Sequence, residues 1–328
     1  MKHSIAEKLR RFYDQFSGED RVLIIINADP DSIASAMAVK RLLWRKTAGV
    51  TISSINIVQR PDNIAMIELL GVTLTHVAAI KEEQFNRFII VDSQPDHHPS
   101  FARFSPLHVV IDHHPVTDVK AAFTDIRPDY GATASILTEY LRAAGIKPSS
   151  KLATGLYHAI KNDTSNFERP SLVEDIRAFQ FLHRHANIQL ARKIEHAEIR
   201  PEYLKYFATA LQNKRIHAGR IYAHLGTVKN PDVCVLVADF FMRVHSITWS
   251  IVSGICSQQL VIVFRNDGLR KDAGKLAKKA FASLGSAGGH KSMARAEIPL
   301  GNLEGVLDTK TDKRTLNWVI GRIERKKS

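Results

Sequence analysis

Acidic and imidazole side chains follow three apolar runs of this sequence, at residues 22–26, 88–91 and 108–111. In chain order these polar groups are Asp29 and Asp31, then Asp92, and finally Asp112, His113 and His114. A further carboxylate, Asp163, lies just past a helical pattern. Carboxylates that lie close together repel one another unless cations hold them. Because oxygen-rich ligands with one or two imidazoles suit Mn²⁺ or Mg²⁺ better than Zn²⁺, these residue types indicate a divalent-metal site.

These groups can meet only if the apolar runs belong to one sheet. The runs are continuous, which is typical of strands that are buried on both faces of a parallel sheet. Ligands of such sheets bind at the carboxyl ends of the strands, so the polar groups are predicted to converge on one rim. Taken singly, an Asp after a strand is more often a helix cap or a turn residue. The argument for chemistry therefore rests on the set.

The tetrapeptide Asp-His-His-Pro occurs twice, at residues 96–99 and at residues 112–115. The later copy directly follows an apolar run, as a ligand at the end of a strand should. The earlier copy follows Ser93-Gln94-Pro95, which is typical of a loop. We therefore assign the metal-binding and catalytic roles to the later copy.

The elements that must position these groups are short strands alternating with longer helices. In the first half, the further predicted elements are a strand over residues 52–58 and helices over residues 32–44 and 63–70. Helical patterns dominate from Thr133 to about residue 213, and strand patterns then return in what is predicted to be a second, smaller α/β domain. Its predicted strands cover residues 220–224, 233–238, 250–255 and 260–264, and its predicted helices cover residues 240–247 and 272–284.

Length and composition favour a globular protein of two domains, with 328 residues and 45% hydrophobic residues. The formal net charge of +13 suits an anionic partner. From Arg265 onward there are 15 basic and 7 acidic residues, which form either a solvated face or an anion-binding face. Only Cys234 and Cys256 are present, which excludes a disulfide framework and indicates a reducing compartment. Because the sequence shows neither a signal peptide nor a membrane-spanning run, we predict a cytoplasmic protein.

The order of these motifs resembles that of the DHH phosphoesterases with a carboxy-terminal DHHA1 domain, and most closely the nanoRNase and pAp-phosphatase branch. The resemblance rests on Asp29-x-Asp31, Asp92, Asp112-His113-His114, Asp163-Thr164 and Gly288-Gly289-His290. It implies an α/β fold with a parallel-sheet DHH catalytic domain over residues 1–190, a linker helix over residues 191–214 and a smaller α/β DHHA1 domain over residues 215–328. The active site is then expected in the cleft between the domains.

The same resemblance implies a centre of two manganese ions, with magnesium as the alternative metal. The implied ligands are, at the first metal position, Asp29 and Asp92, and, at the second metal position, Asp31, Asp92, His113 and Asp163. His114 would face the substrate phosphate, and Asp112 is counted with it as catalytic.

Further residues are implied to contact the substrate or to organise the site. In the carboxy-terminal domain, the expected substrate-binding residues are Gly288, Gly289, His290 and Arg270, with Arg265 as the alternative arginine. The family segment that starts a helix after the DHH motif is matched by residues 130–135. The hydroxyl groups of Thr133 and Ser135 are expected to cap that helix rather than to touch the substrate.

One position departs from the family's pattern. The family usually has a histidine four residues before the first Asp, where this chain has Ile25, with Asn27 closer to Asp29. Asn27 offers an amide oxygen, which is a weaker ligand than imidazole, and Ile25 offers no ligand atom. We therefore expect the first metal position to be weaker, completed by water, or lost.

The expected function is manganese-dependent hydrolysis of short oligonucleotides or small nucleotides, such as pAp or a linear dinucleotide, by metal-activated water. Two alternatives stay open. A pyrophosphate or polyphosphate hydrolase would share the amino-terminal motifs, although Gly288-Gly289-His290 argues against it. A non-catalytic nucleotide-binding protein would fit the missing histidine. The expected partners are a short nucleic acid or nucleotide and no membrane, and a homodimer is considered.

Overall fold

The structure is a computed structural model that describes residues 4–168, 171–195, 199, 201–305, 307 and 311–324. The chain divides into two compact units, Met1–Glu198 and Ile199–Ser328. Among the described residues, no helix is both long enough and apolar enough to cross a membrane.

Within its described residues, the amino-terminal unit forms a parallel sheet, as the sequence predicts. The sheet has six strands. Its strands are β1 (Arg21–Ile26), β2 (Gly49–Ser54), β3 (Leu74–His76), β4 (Arg87–Val91), β5 (Leu107–Asp112) and β6 (Ala121–Ile126). The strand order is β3-β2-β1-β4-β5-β6, so the direction of winding reverses between β1 and β4. Open sheets of this kind bind ligands at that reversal, outside the carboxyl ends of the strands.

Helices and short turns cover both faces of this sheet. The helices are α1 (Ile5–Tyr13), α2 (Pro30–Leu42), α3 (Pro61–Leu70), α4 (Thr133–Ala143), α5 (Ser150–Asp163), α6 (Val173–His183) and α7 (Ile188–Glu195). Strand β1 sends alternate side chains to two buried clusters. Ile24 and Ile26 join the cluster that includes side chains of α2, α4 and α5. Ile25 joins the other cluster, with Phe101 and Phe104. Burial on both faces explains why β1 is a continuous apolar run.

The carboxy-terminal unit has a second sheet, in which β8 and β9 are parallel and the other pairs are antiparallel. The strands are β7 (Arg215–His217), β8 (Arg220–Thr227), β9 (Trp249–Cys256), β10 (Gln259–Asn266), β11 (Ser286–Gly289) and β12 (Met293–Pro299), in the order β11-β12-β10-β9-β8-β7. The helices are α8 (Leu204–Asn213), α9 (Asp232–Phe241), α10 (Ala273–Phe281) and α11 (Asp312–Glu324). The prediction of a smaller α/β unit is therefore confirmed for its class.

Two element predictions in this unit are wrong. The predicted strand over residues 233–238 lies inside α9, and the predicted helix over residues 240–247 holds only the end of α9 and a turn. Val233, Val237 and Phe241 recur every four residues and are buried together against the sheet. A short apolar run does not by itself distinguish a strand from a buried helix, and here the helical period decides.

The segment predicted as one linker helix, residues 191–214, is divided between the two units. Its first residues end α7 in the amino-terminal unit, and Leu204–Asn213 forms α8 in the carboxy-terminal unit. A short turn over Pro201–Tyr203 precedes α8. The assignment of the second unit as a DHHA1 domain stays a prediction.

Candidate metal centre

The loop after β1 is shaped by hydrogen bonds to its own backbone. The Asp29 carboxylate caps α2 by accepting the N–H of Ser32 at 2.9 Å, and the Ser32 hydroxyl accepts the N–H of Asp29. Asn56, after β2, pairs with both backbone groups of Ala28, at 2.6 and 3.0 Å. These bonds place Asp31 in the first turn of α2, where its side chain is fully buried. The helix-cap role expected of a lone Asp is thus real for Asp29.

The carboxylate of Asp31 is held by the beginning of α4. It accepts the N–H of Thr133 at 2.7 Å and the N–H of Ala134 at 2.8 Å, two of the donors that a helix leaves unpaired at its amino end. The Thr133 hydroxyl donates to Asp92 Oδ1 at 2.9 Å. The prediction that the hydroxyl groups of Thr133 and Ser135 cap α4 is therefore wrong in its details. The cap residue is Ala132, and the carboxylate of Asp31 accepts the N–H groups that a capping side chain would accept.

Asp92 follows β4 in a backbone conformation that non-glycine residues rarely adopt. Its φ is +59°, and its N–H donates to the carbonyl of Ile111 on the neighbouring strand. Such a conformation costs on the order of 1–3 kcal/mol and is found where the surrounding structure, often a functional site, imposes it. With this backbone conformation directly after β4, the Asp92 side chain lies buried beside Thr133.

His113 faces three of the predicted carboxylates. Its Nδ1 lies 3.1 Å from the carbonyl oxygen of Tyr130. Its Nε2 lies 3.1 Å from Asp163 Oδ2, 3.5 Å from Asp92 Oδ1 and 4.0 Å from Asp31 Oδ2. The carboxylates of Asp31 in the first turn of α2, Asp92 after β4 and Asp163 at the end of α5 therefore meet at the imidazole that follows β5, as predicted from the sequence.

The carboxyl groups of this cluster are perturbed by burial and by one another. Burial and the charge of Asp163 raise the pKa of Asp31 to about 7, and the same two causes raise the pKa of Asp29. Burial and the charges of Asp31 and Asp29 raise the pKa of Asp92 well above its usual value. Burial and mutual repulsion favour the protonated forms of these carboxyl groups, and a bound cation would favour their ionised forms.

The same field acts on His113 in the opposite direction. Burial opposes its protonation, but the carboxylates of Asp163 and Asp31 outweigh burial and raise the pKa of His113 to about 9. Among the described residues, no lysine or arginine forms an ion pair with Asp29, Asp31 or Asp92. His113 can supply positive charge to these carboxylates, and bound cations would supply more.

The donor set fits divalent cations. Ligand atoms of Asp31, His113 and Asp163 lie within 4.8 Å of one another, and so do ligand atoms of Asp92, His113 and His114. Carboxylate oxygens with imidazole nitrogens and no thiolate suit Mn²⁺ or Mg²⁺. The residues predicted for the second metal position are therefore together in the structure.

Asp112 and His114 form a separate pair beside this cluster. Asp112 is fully buried, and its Oδ1 lies 2.8 Å from His114 Nδ1. Gln94 donates to Asp112 Oδ2 at 2.6 Å and accepts the N–H of Thr117 at 2.8 Å. Burial alone would raise the pKa of Asp112, but hydrogen bonds from His114 and Gln94 hold it below its usual range. Asp112 is thus an ionised residue that orients His114.

Sequence reasoning missed Gln94 and one neighbour of His114. The earlier Asp-His-His-Pro copy does form a short irregular turn, as predicted, but the ring of His97 lies 5.5 Å from the ring of His114. His97 Nδ1 accepts the N–H of Gln94 at 3.2 Å. The sequence did offer a signal for His97, because the Asp-His-His-Pro motif is repeated there. Only the structure shows that this imidazole lies close to the later copy.

The predicted substrate residues lie in the carboxy-terminal unit. Gly288 and Gly289 are the last two residues of β11, and the carbonyl of His290 accepts the N–H of Gly274 at 3.0 Å. Arg265 is paired with Asp239 at 2.7 Å, and Arg270 is exposed in the loop before α10. These placements do not test substrate contact, so the substrate-binding roles stay predictions.

Residues 21–160 match the family model described as the DHH family, N-terminal domain. An uncharacterized protein of Methanocaldococcus jannaschii is 34% identical over 314 residues, which are 95% of this chain and 65% of that protein. The chain therefore spans about two thirds of the length of that relative.

Two solved structures share the fold across both units. An exopolyphosphatase-related protein from Bacteroides fragilis is 14% identical with a TM-score of 0.71, and the match covers 95% of this chain and 97% of that one. Exonuclease RecJ bound to manganese is 13% identical with a TM-score of 0.50, covering 98% and 95% of the two chains. With the order of the motifs, the match to the family model shows that residues 21–160 of this chain are an N-terminal domain of the DHH family.

Proposed function

We propose that this protein is a manganese-dependent phosphoesterase that hydrolyses short oligonucleotides or small nucleotides. The observation that carries the proposal is the convergence of Asp31, Asp92 and Asp163 on the Nε2 of His113, within 3.1 to 4.0 Å. A fold does not need such a cluster, because like charges buried together destabilise it. A pair of divalent cations would remove that cost.

The chain's own residues would divide the work as follows. The first metal position takes Asp29 and Asp92, and the second takes Asp31, Asp92, His113 and Asp163. When bound, such ions activate water and neutralise charge on a phosphoryl group during in-line displacement. Thr133 fixes the direction of the Asp92 carboxylate, and α4 fixes that of Asp31.

The substrate class is supported by charge and by the fold. The excess of basic residues after Arg265 suits a polyanion. Exonuclease RecJ, which shares the fold, is a nuclease whose structure holds manganese. The exopolyphosphatase-related protein supports a second candidate, the hydrolysis of pyrophosphate or polyphosphate.

A substrate panel with Mn²⁺ tests the proposal. It should contain linear dinucleotides, pAp, cyclic dinucleotides, pyrophosphate and a polyphosphate. We expect turnover of linear dinucleotides or pAp that EDTA abolishes and Mn²⁺ restores. Turnover of pyrophosphate or polyphosphate alone would favour the second candidate, and binding without turnover of any compound would favour a non-catalytic nucleotide-binding protein.

The carboxy-terminal unit is proposed to set substrate choice, and Arg270 tests this. Removing one charge-assisted phosphate contact costs about 1.5–3 kcal/mol, so Arg270→Ala should raise KM for a dinucleotide about ten- to a hundredfold. Hydrolysis of bis-p-nitrophenyl phosphate should stay nearly unchanged. Arg265→Ala tests the alternative arginine, whose guanidinium is paired with Asp239. Equal losses on both substrates would show that Arg270 supports the fold or the metal centre instead.

A further inference from the structure

The place of the missing family histidine cannot supply a metal ligand. Ile25 is fully buried and packs with Phe101 and Phe104 in an apolar cluster. The next polar side chain, Asn27, is exposed, and its backbone carbonyl accepts the Ser32 hydroxyl at 2.9 Å. If the first metal position has an imidazole ligand, that ligand must come from another strand.

His114 is held in the form that a metal requires. Asp112 Oδ2 accepts from Gln94 and its Oδ1 accepts the N–H of His113 at 2.8 Å, so this buried carboxyl group acts as an acceptor throughout. Its bond of 2.8 Å to His114 Nδ1 therefore places the imidazole proton on Nδ1. The Nε2 of His114 keeps its lone pair, and a carboxylate behind the ring in this way orients metal-binding histidines and raises their basicity.

His114 also lies close to Asp92, a proposed ligand of the first metal position. One ligand atom of His114 lies within 4.8 Å of ligand atoms of Asp92 and His113, and the two histidine rings are 4.6 Å apart. Metal–ligand bonds of about 2.1 Å put two ligands of one ion at most about 4.2 Å apart, which is close to this spacing, and the His114 side chain is half-exposed.

We propose that His114 is a ligand of the first metal position, with Asp29 and Asp92, and replaces the imidazole that Ile25 cannot provide. This inference rests on the proposed metal-dependent function and changes the role expected for His114, from facing the phosphate to binding the ion. Asp112 is then a positioning residue for that ligand.

His97, the other imidazole nearby, is less suited to the role. Its Nδ1 accepts the N–H of Gln94, so its Nε2 carries the proton and donates rather than binds a cation. His97 is therefore the matched control, because it is an exposed imidazole beside His114 that should not be a ligand.

Manganese binding is the test, measured by calorimetry and by electron paramagnetic resonance on the full chain without substrate. The wild type should bind two ions per chain and give the broadened spectrum of a coupled pair. His114→Ala should bind one ion and give the spectrum of an isolated ion, and added imidazole should restore the second ion to His114→Gly. Asp112→Asn should weaken one ion by roughly 10–100-fold. His97→Ala should keep both ions.

The outcomes separate this inference from the proposed function. Two ions bound to His114→Ala with wild-type affinity, together with a raised KM, would overturn the inference and return His114 to the phosphate. Loss of an ion in His97→Ala but not in His114→Ala would also overturn it and assign the ligand to His97. A wild type that binds no Mn²⁺ at all would overturn the proposed function itself. Circular dichroism of each variant confirms that the fold is retained.

Discussion

At the beginning of α4, two backbone N–H groups donate to the carboxylate of Asp31, a side chain from another helix. At the beginning of α10, the N–H group of Gly274 donates to the carbonyl of His290, a backbone group of the strand region that follows. The first arrangement uses the donors of a helix end to hold a buried charge in place. The second arrangement uses such a donor to join the beginning of α10 to the backbone that follows β11.

This difference distinguishes the glycine motif of the carboxy-terminal unit from the acidic motifs of the amino-terminal unit. A Cβ atom at Gly274 would lie 2.3 Å from the carbonyl oxygen of Gly289, so these glycines let α10 and β11 approach closely. The predicted phosphate contacts of Gly288, Gly289, Arg270 and His290 stay predictions. In the amino-terminal unit, by contrast, the side chains of the motif residues Asp31, Asp92 and Asp163 all face His113.

The largest expected effect is at Asp92, which we propose is shared by both metal positions. Asp92→Asn should lose Mn²⁺ binding and about a thousandfold or more of the activity, because a bound ion stabilises the transition state by several kcal/mol and each 1.36 kcal/mol is a factor of ten. Asp96→Asn, in the earlier copy of the repeated motif, is the control. Unchanged turnover in Asp92→Asn would remove the shared position from the model of the site.

The strands that carry the site could be predicted because they are buried on both faces. Four of the six strands in the first sheet lie at the expected apolar runs, and the residues after β1, β4 and β5 meet as the parallel arrangement requires. The edge strands β3 and β6 were not predicted. They have fewer buried positions, so their sequences lack the continuous apolar pattern.

The parts that could not be predicted depend on tertiary contacts. Nothing in the spacing of Thr133 shows that its hydroxyl reaches Asp92, because the two residues are 41 positions apart. Gln94 is also invisible to pattern analysis, since an amide in a loop is usually solvated. Its full burial behind Asp112 appears only in the structure.

Thr133 provides the second prediction. Thr133→Val keeps the N–H donor to Asp31 but removes the hydroxyl that fixes Asp92. We expect Mn²⁺ affinity and activity to fall roughly 10–100-fold, which is the usual cost of losing a group that orients a ligand. Thr138→Val is the matched control, because that buried hydroxyl of the same helix donates to the carbonyl of Ala134, one turn earlier in α4. Similar losses in both variants would show a general effect on α4.

The third prediction concerns the close approach of α10 and β11. Gly274→Ala should destabilise the carboxy-terminal unit by about 1–3 kcal/mol, because the added methyl group meets the carbonyl of Gly289. Gly321→Ala, in α11, should instead stabilise it by up to about 1 kcal/mol, since a Cβ atom there meets no atom within 4 Å. Urea unfolding measures both changes. A neutral Gly274→Ala would mean that β11 can move away, and the contrast drawn between the two helix ends would weaken.

The smallest expected effect is a pH dependence of the metal-free protein. The pKa of Asp31 is raised to about 7 in the folded state, whereas the carboxyl group of the unfolded chain titrates near its ordinary value of 3.8. Between these values the folded state binds more protons, so stability falls as pH rises from about 4 to above 7. In EDTA, the Tm of Asp31→Asn relative to that of the wild type should therefore rise by a few degrees between pH 5 and pH 8. His224 is common to both proteins and cancels in the difference, whereas the titration of His113 contributes in the same direction because Asp31 helps to raise its pKa. A difference that stays constant across this range would show that the carboxyl groups of the cluster do not repel one another as the structure indicates.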